Sequence, residues 1–425
     1  MCSPSTVDIE GVVVKPNGLM FVLVTVVPYI ATAQDRIGCL FVNNDEIQNT
    51  IEQFAAFDDG SLLFQGRIET GGTGATGGYF SSQRIVVTAD QMCLMASNPL
   101  NNSISAFTID ASNCTLTPAG PPVPTGQFAG INGMGLAIEP DIGVLYAANP
   151  VSNSIVGFTI GADCTLTSIG DPTPGPPGTM SPGPIQVLPP TETGGVTDRR
   201  RRLKAGHLDN NRHAVYSIGD GTPAGTLTPD PTCYPCPSPR GPWNIAGADS
   251  DTSGNLIFEG KIVFNQTVVA VFDFSTGVPM ETKRSPYAFT SGSNSNVVKL
   301  ADKCLMVTNQ QSNTLTRLRV VAGGDLSQAG QPFVLPFSQF PTGMVFGCQN
   351  TAGNYPMWIA QWNPSQIVAS QWNGAECGLV SAITIYPSGS PGSGHLLNGL
   401  VFVPTDGTSC ILPSRDVPPA SSGAN

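Results

Sequence analysis

The chain repeats itself. The run 93–120, CLMASNPLNNSISAFTIDASNCTLTPAG, recurs at 144–170 as VLYAANPVSNSIVGFTIGADCTLTSIG, an offset of 51 residues. A third copy from Cys304, CLMVTNQQSNTLTRLRVVAGGDLSQAG, keeps Asn98 as Asn309, Asn102 as Asn313, Ile104 as Leu315 and Phe107 as Leu318. The first copy starts at Cys39 with CLFVNN, NTIEQFAAF and GSLLFQG. Weaker ones are marked by NLIFEG from Asn255 with VVAVFDF from Val268, by MWIAQW from Met357, and by AVYSIGDG from Ala214 with GTLTPD from Gly225. Such a unit cannot bury both of its faces alone, so its copies must stack against one another.

Each copy holds three strand-like pieces. The stretch 103–109 alternates polar and apolar residues, the period of 2 of a strand, and Asn, Pro, Asp and Gly fill the joints. A fourth piece lies between copies: QRIVVT from Gln83, GMGLAIEP from Gly133, PIQVLPP from Pro184, WNIAGAD from Trp243, NVVKLAD from Asn296, TGMVFG from Thr342 and LLNGLVFVP from Leu396. These apolar segments read as inner strands. Four strands about every 50 residues, seven times over, describe an all-β fold, a seven-bladed β-propeller with four-stranded blades. The chain opens with three outer strands and ends on an inner one, so N- and C-terminal strands are expected to share a blade and close the ring, removing free sheet edges. A sandwich array or a right-handed β-helix leaves the apolar piece between copies without a role. Composition agrees, since 48 Gly and 38 Pro punctuate a chain whose charged fraction is only 12%. The least regular segment, 172–212, reads as an excursion from the third and fourth blades.

The ends of the chain differ from its middle. Lys15 precedes an apolar run over 19–30, and Ala31-Thr32-Ala33 supplies the small residues that signal peptidase accepts. We therefore read 1–33 as an export signal, 34–412 as the propeller and 413–425 as a disordered tail. About twelve apolar residues interrupted by Pro28 fall short of the roughly 20 needed to span a bilayer, so no membrane anchor is expected in the mature, extracytoplasmic form. Ten cysteines lie outside the signal, as a disulfide set requires. Cys410 falls where the next copy of Cys93 would, which predicts a Cys39–Cys410 clasp. Cys93 and Cys114, at the starts of the second and fourth strands of one blade, would be two strand spacings apart, about 9.5 Å, too far to bridge. The other connectivities stay open. Cys233-Tyr-Pro-Cys236 reads as a local disulfide, because no second pair stands at zinc spacing and prolines 231, 235 and 237 flank it.

A formal charge of −11 argues against a nucleic-acid partner, which needs a basic face. The one basic run, Arg199–Arg202, is placed in an exposed loop, uncut, with proteolytic processing as the alternative. Gly71–Gly78, GGTGATGG, lacks the Lys-Ser/Thr ending of a phosphate loop. Asp58, Asp59, Asp249 and Asp251 do not have calcium-loop spacing. Neither metal nor cofactor is expected. Three sequons, at Asn101, Asn113 and Asn265, are glycosylation candidates.

The run 71–107, GGTGATGGYFSSQRIVVTADQMCLMASNPLNNSISAF, resembles the lactonase-type seven-bladed propellers, the group of 6-phosphogluconolactonase and 3-carboxymuconate cyclase relatives. The resemblance extends over roughly 37–403 and is strongest in the first three copies. It implies that scaffold, and with it a family chemistry in which His, Glu and Arg on inner strands and adjoining loops open or close a lactone. The only histidines here are His207, His213 and His395. His395 stands several residues ahead of the position of the family's His, so Arg84 and His395 are the catalytic candidates that the resemblance leaves. The entrances of the inner strands carry Gln83, Asn132, Gln186, Asn244, Asn296, Thr342 and Asn398, which can hydrogen-bond sugars or acids but do not titrate near neutral pH. The expectation is a monomeric exported propeller binding a small molecule or protein at the channel mouth. The alternative is a lactonase or cyclase acting on a sugar-acid or muconate-type lactone. Sequencing the secreted product should give Gln34 as its first residue; a secreted protein retaining residues 1–33 would contradict the export reading.

Overall fold

The computed structural model describes residues 35–75, 83–131, 133–177, 182–188, 191–193, 196–198, 201–207, 212–231, 236–237, 245–263, 266–275, 279–289, 295–336, 339–363, 365–380, 383–387, 397–405, 410 and 412–417. The expected export signal lies outside them. Seven antiparallel sheets form the blades of a β-propeller. Numbered from the blade that begins the chain, their inner strands are Leu400–Pro404, Ile85–Val87, Leu136–Glu139, Pro182–Leu188, Ile245–Ser250, Ser295–Ala301 and Gln339–Phe346. Each touches the next, and the last touches the first, so they encircle an axis. Blade 2 shows the plan: Ile85–Val87, Cys93–Asn98, Ser103–Asp110 and Thr115–Pro118 follow one another outward, and Val123–Pro124 returns to the third strand on the way to the next blade. The only helical turns among the described residues are Pro99–Asn101 and Ala322–Gly324.

Closure occurs in blade 1 as expected. Leu400–Pro404 pairs antiparallel with Arg36–Asn43, setting Phe402 opposite Leu40 and Val401 opposite Phe41. Thr50–Phe57 and Leu62–Glu69 complete that sheet from the other end of the chain.

The period of 2 sorts each second strand between two neighbours. In Cys93–Asn98, Leu94 and Ala96 pack with Phe41 and Ile51 of blade 1, whereas Cys93 and Met95 pack with Leu145 and Phe158 of blade 3. Both faces are thereby buried, and the strand reads apolar almost throughout. The repeated asparagines have two jobs. Asn98, wholly buried, donates from Nδ2 to Ser105 Oγ at 2.8 Å and accepts from Thr70 Oγ1 of blade 1 at 2.7 Å. Asn309 does the same between Thr316 and Thr267 of blade 5. Asn102, Asn153 and Asn313 turn the chain at φ of 54, 47 and 52°, the left-handed region that Asn tolerates better than most side chains.

The disulfides follow the ring rather than the single blade. Cys39–Cys114, Cys93–Cys164 and Cys304–Cys377 each join the start of a second strand to the turn before the fourth strand of the next blade, with Cα separations of 5.3, 5.4 and 5.5 Å. The expected Cys39–Cys410 clasp is therefore replaced: Cys39 holds Cys114, and Cys410 holds Cys348 of blade 7. The cause lies in closure, because Arg36–Asn43 already occupies the slot beside Leu400–Pro404 and the chain cannot continue as another second strand. It runs on along the ring instead, and Ser414 and Arg415, within the segment 413–425 read as a disordered tail, hydrogen-bond to blades 5 and 6. Cys233 lies outside the described residues, and so does the side chain of Cys236.

The segment 172–212 also differs from its reading as an excursion. It builds the first half of blade 4: Pro182–Leu188 is the inner strand and Arg201–His207 the second, separated by a short hairpin of Thr191–Thr193 with Val196–Asp198. That hairpin shifts the spacing and hides the repeat. The basic run consequently enters a strand, where Arg202 is buried and Arg201 pairs with Glu139 and Asp220.

Six of the blade interfaces are dominated by apolar side chains, but among the described residues the one between blades 4 and 5 has a thin layer around Leu188, Val215, Ile257 and Phe272. Beside it lies a buried charge cluster. Glu259 accepts from Lys204, from Lys261 at 2.9 Å, and faces His213 Nδ1 at 3.3 Å. Burial alone would raise the Glu259 carboxyl, yet His213, Lys204 and Lys261 outweigh it and hold the group far below the usual carboxylate range. Since its folded value is depressed, Glu259 contributes stability above about pH 4.3, its unfolded value, and loses it as pH falls towards the folded one. Removing the charge strands two buried lysines, so Glu259→Gln should cost about 3–5 kcal/mol at pH 7. Denaturant unfolding should show that loss, narrowing below about pH 4; equal midpoints at pH 7 would contradict it.

Candidate functional site

Successive side chains of each inner strand turn towards one neighbouring blade and then the other, as Val297 does towards blade 7 and Val298 towards blade 5, and the inner edges of these strands, mostly small and aliphatic, face the axis. Val86, Ile138, Val187, Ala248, Val298, Val345 and Val401, one from each inner strand, wall a central cavity of about 580 Å3. Its polar groups gather on three neighbouring blades. Gln186 of blade 4 donates from Nε2 to Ser250 Oγ of blade 5 at 2.7 Å, and its buried Oε1 has no partner among the described residues. Asp249 of blade 5 accepts the Leu300 amide of blade 6 on Oδ2 at 2.8 Å. Lys299 of blade 6, the only basic residue within the seven inner strands, lines the cavity half-buried, with neither an ion pair nor a hydrogen bond among the described residues. Gln83 of blade 2 adds another amide, whose buried Oε1 has no partner among the described residues.

The carboxylates at this end are already engaged. Burial raises the Asp251 carboxyl, but the group is tied into its own hairpin by the Leu256 amide at 3.0 Å and the Ser253 hydroxyl at 2.7 Å. What the channel offers a visitor is therefore the Lys299 ammonium, the side chains of Gln83 and Gln186, the Arg415 guanidinium and a wall of aliphatic side chains and main chain. Such a set can hold a small polar anion by charge and hydrogen bonds while the wall excludes water.

Of the expected site residues, Gln83 and Gln186 line the channel, although Gln186 sits near the far end of its strand rather than at the entrance. Thr342 and Asn398 turn away from it. The Thr342 hydroxyl donates to the Leu397 carbonyl, and Asn398 Nδ2 donates to Asp45 Oδ2 at 3.3 Å. Asn132, Asn244 and His395 lie outside the described residues, as do the side chains of Asn296 and His207. His213 is packed edge-on to Phe272 between blades 4 and 5, away from the axis.

Arg84 is 0% exposed. Its Nη1 meets both carboxylate oxygens of Asp45, at 2.9 and 2.7 Å, and the Ala75 amide donates to the same carboxylate at 2.7 Å. Burial raises the Asp45 carboxyl against the pull of Arg84 and of these donors, and burial likewise lowers Arg84. Gly133 of the loop entering blade 3 lies flat against the guanidinium: at φ +81° it has the left-handed backbone glycine favours, and a Cβ there would come within 2.0 Å of Nη2. Arg84 thus fastens loops of blades 1, 2 and 3, and in this arrangement presents nothing to the channel. Lys299 was the residue that sequence reasoning passed over. Its signal was visible, a lone lysine amid the apolar NVVKLA segment.

Residues 39–179 match the lactonase seven-bladed β-propeller family. No curated protein matches the chain. Among solved structures, a Bacteroides fragilis protein provisionally named a 6-phosphogluconolactonase superposes with a TM-score of 0.66 at 16% identity, covering 88% of this chain and 99% of its own. The periplasmic gluconolactonase of Pseudomonas aeruginosa gives a TM-score of 0.62 at 16% identity, over 86% and 99%. A Lactobacillus plantarum protein gives 0.59 at 18%, over 87% and 100%. At these identities the likeness is one of fold. The chain is a seven-bladed β-propeller, and residues 39–179 carry the sequence signature of the lactonase seven-bladed propeller family.

Proposed function

We propose that this protein is an exported propeller that binds a small, hydroxylated, anionic ligand, such as a sugar acid, in its central channel. The observation that carries the reading is Lys299, an ammonium with no ion pair among the described residues, in a central cavity of about 580 Å3. In a space partly shielded from water such a charge attracts an anion more strongly than it would on an open surface. Gln83 and Gln186 line the same cavity, and their side-chain amides are hydrogen-bonding groups of the kind that recognises polyols. Four disulfides between distant parts of the chain support an oxidising compartment.

A second reading, opening of a sugar-acid or muconate-type lactone, is favoured by the family signature over 39–179. It requires a group that moves a proton near neutral pH, and His395 is the residue to test. Arg84 would have to leave Asp45 to take part.

Calorimetric titration with D-gluconate decides between occupancy and its absence, and Lys299→Met should weaken binding by about tenfold or more, the usual worth of one charge-assisted contact. Affinity should also fall as salt is raised from low to physiological ionic strength. Hydrolysis of D-glucono-1,5-lactone by the wild type, lost in His395→Ala, would overturn the binding reading in favour of catalysis. Gluconate binding equally to wild type and Lys299→Met would remove its foundation.

A further inference from the structure

After Pro404 the chain leaves blade 1 and travels back along the ring. Cys410 is bonded to Cys348, which follows the inner strand of blade 7. Ser414 then exchanges hydrogen bonds with Asp302 in the inner hairpin turn of blade 6, its amide donating to Oδ1 at 2.9 Å and its carbonyl accepting the Asp302 amide. The Arg415 carbonyl accepts the Thr252 amide of the blade 5 turn at 3.3 Å, and Val417 packs on the apolar layer between blades 5 and 6. Every anchor lies where an inner strand turns into its second strand. The tail therefore follows one end of the channel, the end opposite to that where the inner strands begin.

Its one basic side chain turns inward. Arg415 donates from Nε to the Ser250 carbonyl at 3.0 Å and from Nη2 to that carbonyl at 2.6 Å and to Asp249 Oδ1. These bonds fix one edge of the guanidinium. Nη1, on the other edge, has no partner among the described residues, and Arg415 is part of the cavity lining. Asp249 joins the two segments that carry these cations: its Oδ2 accepts the amide of Leu300, the residue after Lys299, and Lys299 and Arg415 both line the cavity. Ser250, held by Arg415, in turn receives Gln186. Two cations and an amide are thus linked through two residues of blade 5.

We propose that the C-terminal tail is a built-in floor of the channel and that Arg415 is a ligand-positioning residue, offering Nη1 together with the Lys299 ammonium to the same anionic group. The Cys348–Cys410 bond holds the floor in place, and the ligand enters at the end where the inner strands begin. The proposal rests on the channel-binding reading for its ligand and on the tail contacts alone for its floor. A planar guanidinium fixed on one edge suits a carboxylate, because the free edge is already oriented before the ligand arrives.

Hydrogen exchange and gluconate titration on the full-length mature protein test the two halves. In the wild type the amides of Thr252, Asp302 and Ser414 should exchange slowly, and in the Cys348→Ser/Cys410→Ser double variant they should exchange faster. Arg415→Met should weaken gluconate binding by about tenfold, and the double variant should weaken it in the same direction. Arg415→Lys, which keeps a charge but loses the oriented edge, should recover only part of the affinity. Fast exchange at those amides in the wild type would overturn the floor. Wild-type affinity in Arg415→Met, with Lys299→Met impaired, would overturn the role of Arg415 and leave the channel site standing. No gluconate binding by the wild type would instead count against the channel site itself, and with it the ligand role of Arg415, while amide protection still decides the floor.

Discussion

The main-chain pairing of Leu400–Pro404 with Arg36–Asn43 is the constraint on which the rest of the molecule depends. A four-stranded sheet with two apolar faces is stable only between two neighbours, and a linear row of such sheets leaves an uncovered blade at each end. Joining the chain's last inner strand to its first outer strands removes both ends at once. The axial cavity follows from that closure, since it exists only where all seven inner strands face one another. So does the path of the tail, which must find a course outside a blade whose places are already filled.

Between blades the chain uses different chemistries for one geometric task. Repeated asparagines tie a second strand to the preceding blade, and three disulfides join equivalent points of blades 1 and 2, 2 and 3, and 6 and 7. Between blades 4 and 5 a buried carboxylate among two lysines and a histidine accompanies a thinner apolar layer. Bridges spanning more than seventy residues, with separations of 75, 71 and 73, stabilise by limiting the unfolded chain, whereas the ionic cluster depends on complete pairing.

Much of the fold was legible because a propeller writes its plan repeatedly. The apolar alternation in 103–109, the asparagines at 98 and 102 and the apolar piece between copies each carry a local physical meaning that survives in several blades. Pairing between blades was less legible. Cys39 meets Cys114 because adjacent sheets stack, and the distance along the chain between them says nothing of it. Blade 4 was obscured by one hairpin inserted between its first two strands. The site was legible only in part. Gln83 and Gln186 could be placed on inner strands by pattern, but which way a side chain at a strand entrance turns depends on loops from other blades. Arg84 illustrates this: its charge suggested chemistry, while the partner that claims it, Asp45, belongs to a loop of another blade. Arg415 was invisible for a different reason, since a Pro- and Ser-rich tail carries no periodicity to show that it is held.

The most direct test of ring closure removes the closing strand. A chain ending at residue 395, carrying Cys348→Ser so that no thiol is left unpaired by the loss of Cys410, is compared with the full-length Cys348→Ser/Cys410→Ser protein by thermal unfolding and size-exclusion chromatography. Closure through Leu400–Pro404 requires that the shortened chain lose its cooperative transition or self-associate through the opened edge, while the full-length control unfolds cooperatively as a single species. A shortened chain that melts as sharply and at the same temperature as the control, and elutes at the same state of association, would contradict it.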